Sequence, residues 1–141
     1  MCMMLYLASD TASPLIENTQ EDRKPLYVRE LDGASDDDKF ASEYLTKPYK
    51  YKLGSWQGCG CGFQFDYRDY GLDDEDNEWG KRSLAALFAY LRANVSGGEC
   101  DLLSFWSGED VEHSAVMDLR DLTLDGDSFS FKEGLHIKVL L

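Results

Sequence analysis

The chain has 141 residues, 43% of them hydrophobic and 13% aromatic, enough apolar material for one domain that needs no metal or disulfide to hold its core. Its formal net charge of −13 repels phosphate backbones and anionic lipid, which argues against nucleic-acid and membrane-surface roles and suits a basic protein partner. No run approaches the roughly 20 apolar residues of a membrane span, and four cysteines are too few for a disulfide scaffold, so a reducing, cytoplasmic setting is expected.

Met1–Leu7 is apolar on both alternating faces and reads as an interior strand. The opening "MCMMLYLAS" has neither the basic flank nor the cleavage pattern of a signal peptide. Ser9–Pro25 is polar and reads as a loop, and Leu26–Leu31 as a strand. Ser35 before Asp36, Asp37 and Asp38 marks a helix start, with a capping hydroxyl and three carboxylates at the positive end of the helix dipole. Phe40 and Tyr44 form its inner face, and Pro48 ends it. Tyr49–Gly54 alternates as a half-exposed strand, with Tyr49, Tyr51 and Leu53 on one side and Lys50 and Lys52 on the other.

Asp66–Glu78 reads as an acidic connection, and Lys81–Val95 as a helix whose Leu84, Leu87, Phe88, Leu91 and Val95 form one stripe. Cys100–Trp106 is a second strand apolar on both faces. Val111–Leu122 fits helix or strand, with a strand favoured around Val116–Leu119. Ser128–Phe131 and Leu135–Leu141, with Lys132-Glu133-Gly134 between them, read as a hairpin. A strand near 59–65, the long helix and the strand at 100–106 suggest a βαβ unit. The expected fold is a single α+β domain over residues 1–141, with a mixed sheet of about six strands, two main helices and a C-terminal β-hairpin.

The distinctive stretch is Gly54–Phe65, "GSWQGCGCGFQF". If it is extended, Cys59, Cys61, Phe63 and Phe65 share one face and Gly58, Gly60 and Gly62 the other. On that reading the thiols pack as small hydrophobes, and the glycines admit a close neighbour such as Trp56 or the long helix. The same pair also reads as two thiolates of a zinc or copper site, completed from Cys2, Cys100 or His113. No CxxC knuckle accompanies it. A Cys59–Cys61 disulfide needs a turn at Gly60, and no helix follows directly to activate the thiols.

A fourth reading is a small-anion or ligand site, with the glycine amides as a nest and Trp56, Lys50, Lys52 and His113 around it. The Lys-Ser/Thr of a P-loop is missing. Asp121–Gly126 fails as a calcium loop, because Thr123 and Lys132 stand where acids belong. His136 is expected to face solvent, and His113 to sit in a loop beside Glu112. No catalytic constellation assembles from these residues.

The segments "MCMMLYLASD", "SPLI", "KPYKYKLGSWQGCGCGFQF", "SFWSGED" and "SFSFKEG" resemble a set of small uncharacterised bacterial proteins that share a Gly-Cys-Gly-Cys-Gly-Phe signature. The resemblance implies a bacterial cytoplasmic protein and carries over no catalytic residue or cofactor. The leading expectation is a non-enzymatic binding or interaction domain with no cofactor, whose acidity, at Asp36–Asp38 or Asp73–Glu78, meets a basic protein. The alternatives are a thiolate metal protein using Cys59 and Cys61, and a ligand site or enzyme around Gly58–Gly62.

Overall fold

The computed structural model describes residues 2–17, 23–68 and 73–141. Strand β1 (Met3–Ser9) lies in the interior of a six-stranded sheet, and every one of its residues is buried. Its two apolar faces demand this, since each face needs its own packing layer. It pairs antiparallel with β3 (Tyr49–Ser55) on one side and β5 (Glu99–Trp106) on the other. The sheet order is β2-β3-β1-β5-β8-β6, with β2 at Leu26–Glu30, β6 at His113–Asp118 and β8 at Leu135–Leu140. Only β6 and β8 run parallel, so the sheet is mixed.

Helix α1 (Asp36–Tyr44) covers one face. Ser35 caps it by accepting from the Asp38 amide, and Ala41 with Leu45 pack on Tyr6, Ala8, Leu103 and Phe105. Helix α2 (Asp74–Asn94) covers the other face. Its Leu84, Leu87, Phe88 and Leu91 meet Leu5, Leu7, Leu53 and Leu102 in the larger core. The helix begins earlier than the acidic run suggests. Asp73 caps it by accepting from the Asp76 amide, and Asp74, Glu75 and Asp76 occupy its first turn, where the dipole favours negative charge.

Two connections differ from the sequence expectation. Residues 58–62 do not extend the sheet. They form a turn and a single 3-10 turn at Gly60–Gly62, followed by the short strand β4 (Gln64–Asp66). That strand pairs with β7 (Ser128–Ser130) in a separate two-stranded sheet, so β4, α2 and β5 do not make a βαβ unit. For the same reason β7 and β8 are not a hairpin, and β8 pairs with β5 and β6 instead. Aromatic contacts hold the small sheet in place: Phe63 meets Phe131, and Phe88 of α2 meets Phe129, both edge to face. Among the described residues, no helix is long and apolar enough to cross a membrane.

Candidate metal centre

The loop after β3 is organised by one hydroxyl. Buried Ser55 Oγ donates to the Cys59 carbonyl at 2.6 Å and accepts from the amides of Gly62 at 3.1 Å and Gln57 at 3.3 Å. The Ser55 amide also donates to the Cys59 carbonyl, at 2.8 Å. These bonds curl the chain back on itself and press it against the start of β1. Two glycines make the approach possible. A Cβ on Gly60 would stand 2.7 Å from the Met3 carbonyl oxygen, and one on Gly62 would collide with Ser55 Oγ. Gly58 adopts φ +88°, a left-handed conformation that other residues rarely hold.

The curl places the thiols of Cys59 and Cys61 beside that of Cys2. The three Sγ atoms lie within 4.8 Å of one another, and no other group of three or more potential metal ligands occurs among the described residues. Cys2 is exposed, while Cys59 and Cys61 are half-buried. The Met3 amide donates to Cys61 Sγ at 3.1 Å. Burial pushes the Cys59 thiol up to about 11, the Cys61 amide lowers it, and the Cys61 and Cys2 thiols raise it again. A bound cation reverses that balance, because it stabilises the thiolate that burial disfavours.

Zinc–sulfur bonds of about 2.3 Å set tetrahedral sulfurs roughly 3.8 Å apart. Closing the present spacing to that value takes small side-chain rotations. The three ligands come from two segments, the residue just before β1 and the curled loop, and the Gly60 backbone packs against the Met3 carbonyl. A hollow of about 30 Å³, the volume of one water, adjoins Cys61 between Trp56, Gln64 and Asp76.

Cys100 does not belong to this cluster. It is buried in the main core at the opposite end of β5. Cys2 lies beside Ser107, whose amide donates to the Cys2 carbonyl, and the length of β5 separates the two cysteines by roughly 20 Å at about 3.3 Å per residue. Burial pushes the Cys100 thiol up to about 12.

Of the residues expected to line an anion or ligand site, Trp56, Gly58, Gly60 and Gly62 share the curled loop, whereas Lys50, Lys52 and His113 lie away from it. Lys50 donates to the Ser42 carbonyl at 2.7 Å, and Lys52 pairs with Asp38 at 3.6 Å, so both are engaged with α1 on the face opposite the curled loop. His113 is exposed at the start of β6, on the far edge of the sheet. Trp56 stacks on Trp79 at 6.2 Å, with the Arg23 guanidinium over both rings. Gly60 and Gly62 serve close packing, and the Gly62 amide that a nest would offer an anion is spent on Ser55. His136 is part-buried and lies 3.2 Å from Asp101, instead of facing solvent.

The acidic patches also separate. Asp38 is buried, accepting from the Tyr6 hydroxyl at 2.6 Å and the Asp32 amide at 2.6 Å, and Asp37 accepts from Ser107 and the Gly108 amide. Asp36 alone of that triplet is exposed, whereas Asp73, Asp74, Glu75 and Glu78 are all exposed. Sequence reasoning did not single out Ser55, the Met3 amide or Gly60's contact with β1. No local pattern marks them, because each matters only once the loop has folded back. Searches against protein-family models, curated proteins and solved structures find no match to this chain.

Proposed function

We propose that the protein binds a soft transition-metal ion, zinc or monovalent copper, through the thiolates of Cys2, Cys59 and Cys61. The observation that carries this reading is the convergence of three thiols within 4.8 Å from two segments far apart in sequence. Thiolate donors select such ions over hard cations. A three-sulfur set leaves a further position open to water or to an exchange partner, and Cys2 is exposed for ion entry and release. The reading is therefore of a binding, carrying or sensing protein, and no group in the cluster is placed for acid–base catalysis.

The test is native mass spectrometry of protein purified without chelator, with metal titration and thiol counting under native conditions. A bound ion that shields Cys2, Cys59 and Cys61 and is lost in Cys61→Ser supports the reading. An apo mass at saturating zinc and at saturating monovalent copper sinks it.

A second reading is favoured by one observation. The start of α2 exposes its N-cap Asp73 and, within the first five helical residues, Asp74, Glu75 and Glu78, a surface to which a basic protein partner would dock.

A further inference from the structure

One thiol of the cluster differs from the other two in what it can meet. Cys2 is exposed, whereas Cys59 and Cys61 are half-buried in the curled loop. An oxidant in solution therefore reaches the cluster through Cys2, and two further sulfurs lie within 4.8 Å to answer it. An accessible thiol poised beside a second thiol is the arrangement that passes from a reversible sulfenic acid to a disulfide.

Backbone contacts choose between the two loop sulfurs. The Met3 amide donates to Cys61 Sγ at 3.1 Å, which holds that sulfur beside the Cys2–Met3 peptide. Cys59 is anchored elsewhere, since its carbonyl accepts from the Ser55 amide at 2.8 Å and from Ser55 Oγ at 2.6 Å. A Cys59–Cys61 bond would have to close inside a segment pinned at both ends. Ser55 Oγ also accepts from the Gly62 amide, and the Phe63 amide donates to the Gly60 carbonyl. A disulfide needs a Cβ–S–S–Cβ angle of about 90° and a restricted Cα separation, and meeting both there twists the pinned chain. Cys2 stands just before β1. Its side chain can turn while its carbonyl keeps the bond from the Ser107 amide at 2.9 Å.

We propose that Cys2 and Cys61 form a reversible disulfide under a small hydroperoxide, leaving Cys59 as a free thiol. The Cys2 sulfur attacks one peroxide oxygen and the O–O bond breaks. The Cys2 proton departs with the other oxygen as water or an alcohol, and Cys2 becomes a sulfenic acid. The Cys61 sulfur then attacks the Cys2 sulfur, the S–O bond breaks, and the departing hydroxide takes the Cys61 proton as water. Two thiols have given up two electrons, and the peroxide has received them. Small thiols of the glutathione class reverse the bond at the exposed Cys2 sulfur. Two of them are oxidised to their own disulfide as Cys2 and Cys61 regain their protons.

The disulfide stands apart from the metal reading, whereas its effect on the ion rests on that reading. The bond consumes two of the three thiolates, and Cys59 alone does not hold a soft ion. Oxidation then releases the ion, and a bound ion shields the same sulfurs from the oxidant.

The experiment treats the full chain, freed of metal by a chelator, with hydrogen peroxide and maps its disulfides by non-reducing digestion and mass spectrometry. The expected product is a monomer lighter by two hydrogens, carrying a Cys2–Cys61 bond, and glutathione restores the original mass. Cys59→Ser should still form the bond, whereas Cys61→Ser should form any disulfide at Cys2 at least about tenfold more slowly. Equal rates in the two variants overturn the proposal. So does oxidation of Cys2 to sulfinic acid with no disulfide, a main product in which Cys59 is bonded, or Cys2 joined to another copy. Where a variant fails to fold, the map of the unaltered chain decides. Oxidation of zinc-loaded protein beside a zinc indicator separates the two readings. A mapped Cys2–Cys61 bond in a chain that takes up neither zinc nor monovalent copper supports the disulfide and removes the metal site. Bound zinc, with no Cys2–Cys61 bond on oxidising the ion-free chain, removes the disulfide alone.

Discussion

The Met3 amide donates to Cys61 Sγ at 3.1 Å, so the first residue of the central strand is bonded to the second thiol of the curled loop. One backbone group thereby ties the candidate metal centre to a fully buried interior strand. An amide donor to sulfur also spreads thiolate charge, as donors around metal thiolates do. The bond predicts that the ligand geometry survives loss of the ion.

Removing Cys59 or Cys61 as serine should abolish metal binding. Cys2→Ser should weaken it by one to two orders of magnitude, since Cys2 is exposed and both half-buried thiols of the hydrogen-bonded loop remain in place, whereas each loop variant leaves only one of them. Cys100→Ser should leave the stoichiometry unchanged, because that thiol lies at the far end of β5. Elemental analysis of the four purified variants checks the set.

Metal binding should release protons and weaken as pH falls. The Cys59 thiol sits at about 11 without a cation, so at neutral pH it is protonated and must lose its proton to bind. Isothermal titration in two buffers of different ionisation enthalpy counts the protons released. A count near zero at about pH 7 would contradict thiolate ligation.

The ion-free protein should lose stability in alkali. Cys59 is raised from 9.0 to about 11 and Cys100 to about 12, each mainly by burial. Below pH 9 both thiols are protonated in the folded and unfolded chains alike, and their preference for the folded state is fully expressed. Above pH 9 the unfolded chain sheds protons that the folded chain keeps, so stability falls as pH rises through the range 9 to 12. Burial and the bond to Asp38 push Tyr6 in the same direction. Thermal melts from about pH 8 upward should show the midpoint dropping, with Cys100→Ala flattening part of the slope.

Ser55→Ala should destabilise the fold by about 1–3 kcal/mol, because it leaves the amides of Gln57 and Gly62 without their acceptor. Gly60→Ala should cost about 1–3 kcal/mol, since its methyl group meets the Met3 carbonyl. Chemical denaturation measures both. Gly97→Ala, where a Cβ meets nothing but φ is +89°, separates backbone strain from crowding.

Much of the scaffold was legible because its signals are local. The two-faced runs at β1 and β5, the alternation of β3, the Ser35 cap and the stripe of α2 each follow from spacing alone. The curled loop was not. Alternating Gly and Cys imitates a strand's period of two, while the glycines are set by contacts with Met3 and Ser55, which sequence spacing does not contain. The C-terminal hairpin failed similarly. Gly134 does turn the chain, at φ +62°, but Phe129 and Phe131 draw β7 to β4 and α2. At the candidate centre, Cys2, Cys59 and Cys61 were all among the named thiols. Cys100 was indistinguishable from Cys2 in sequence, because a buried strand does not announce which of its ends faces which loop.

The position of β1 bears on how the chain is made. Its Leu5 pairs with Leu53 and with Ser104, so the central strand precedes both neighbours in the order of synthesis. Until β5 emerges from the ribosome, a two-faced apolar strand has at most one of its edges satisfied. Sheets closed by such distant segments assemble slowly, and their unpaired strands are open to misassociation meanwhile. A chaperone that holds extended apolar segments would find its longest-lived target at the first strand, and the yield of folded protein would depend on how quickly the second half of the chain follows.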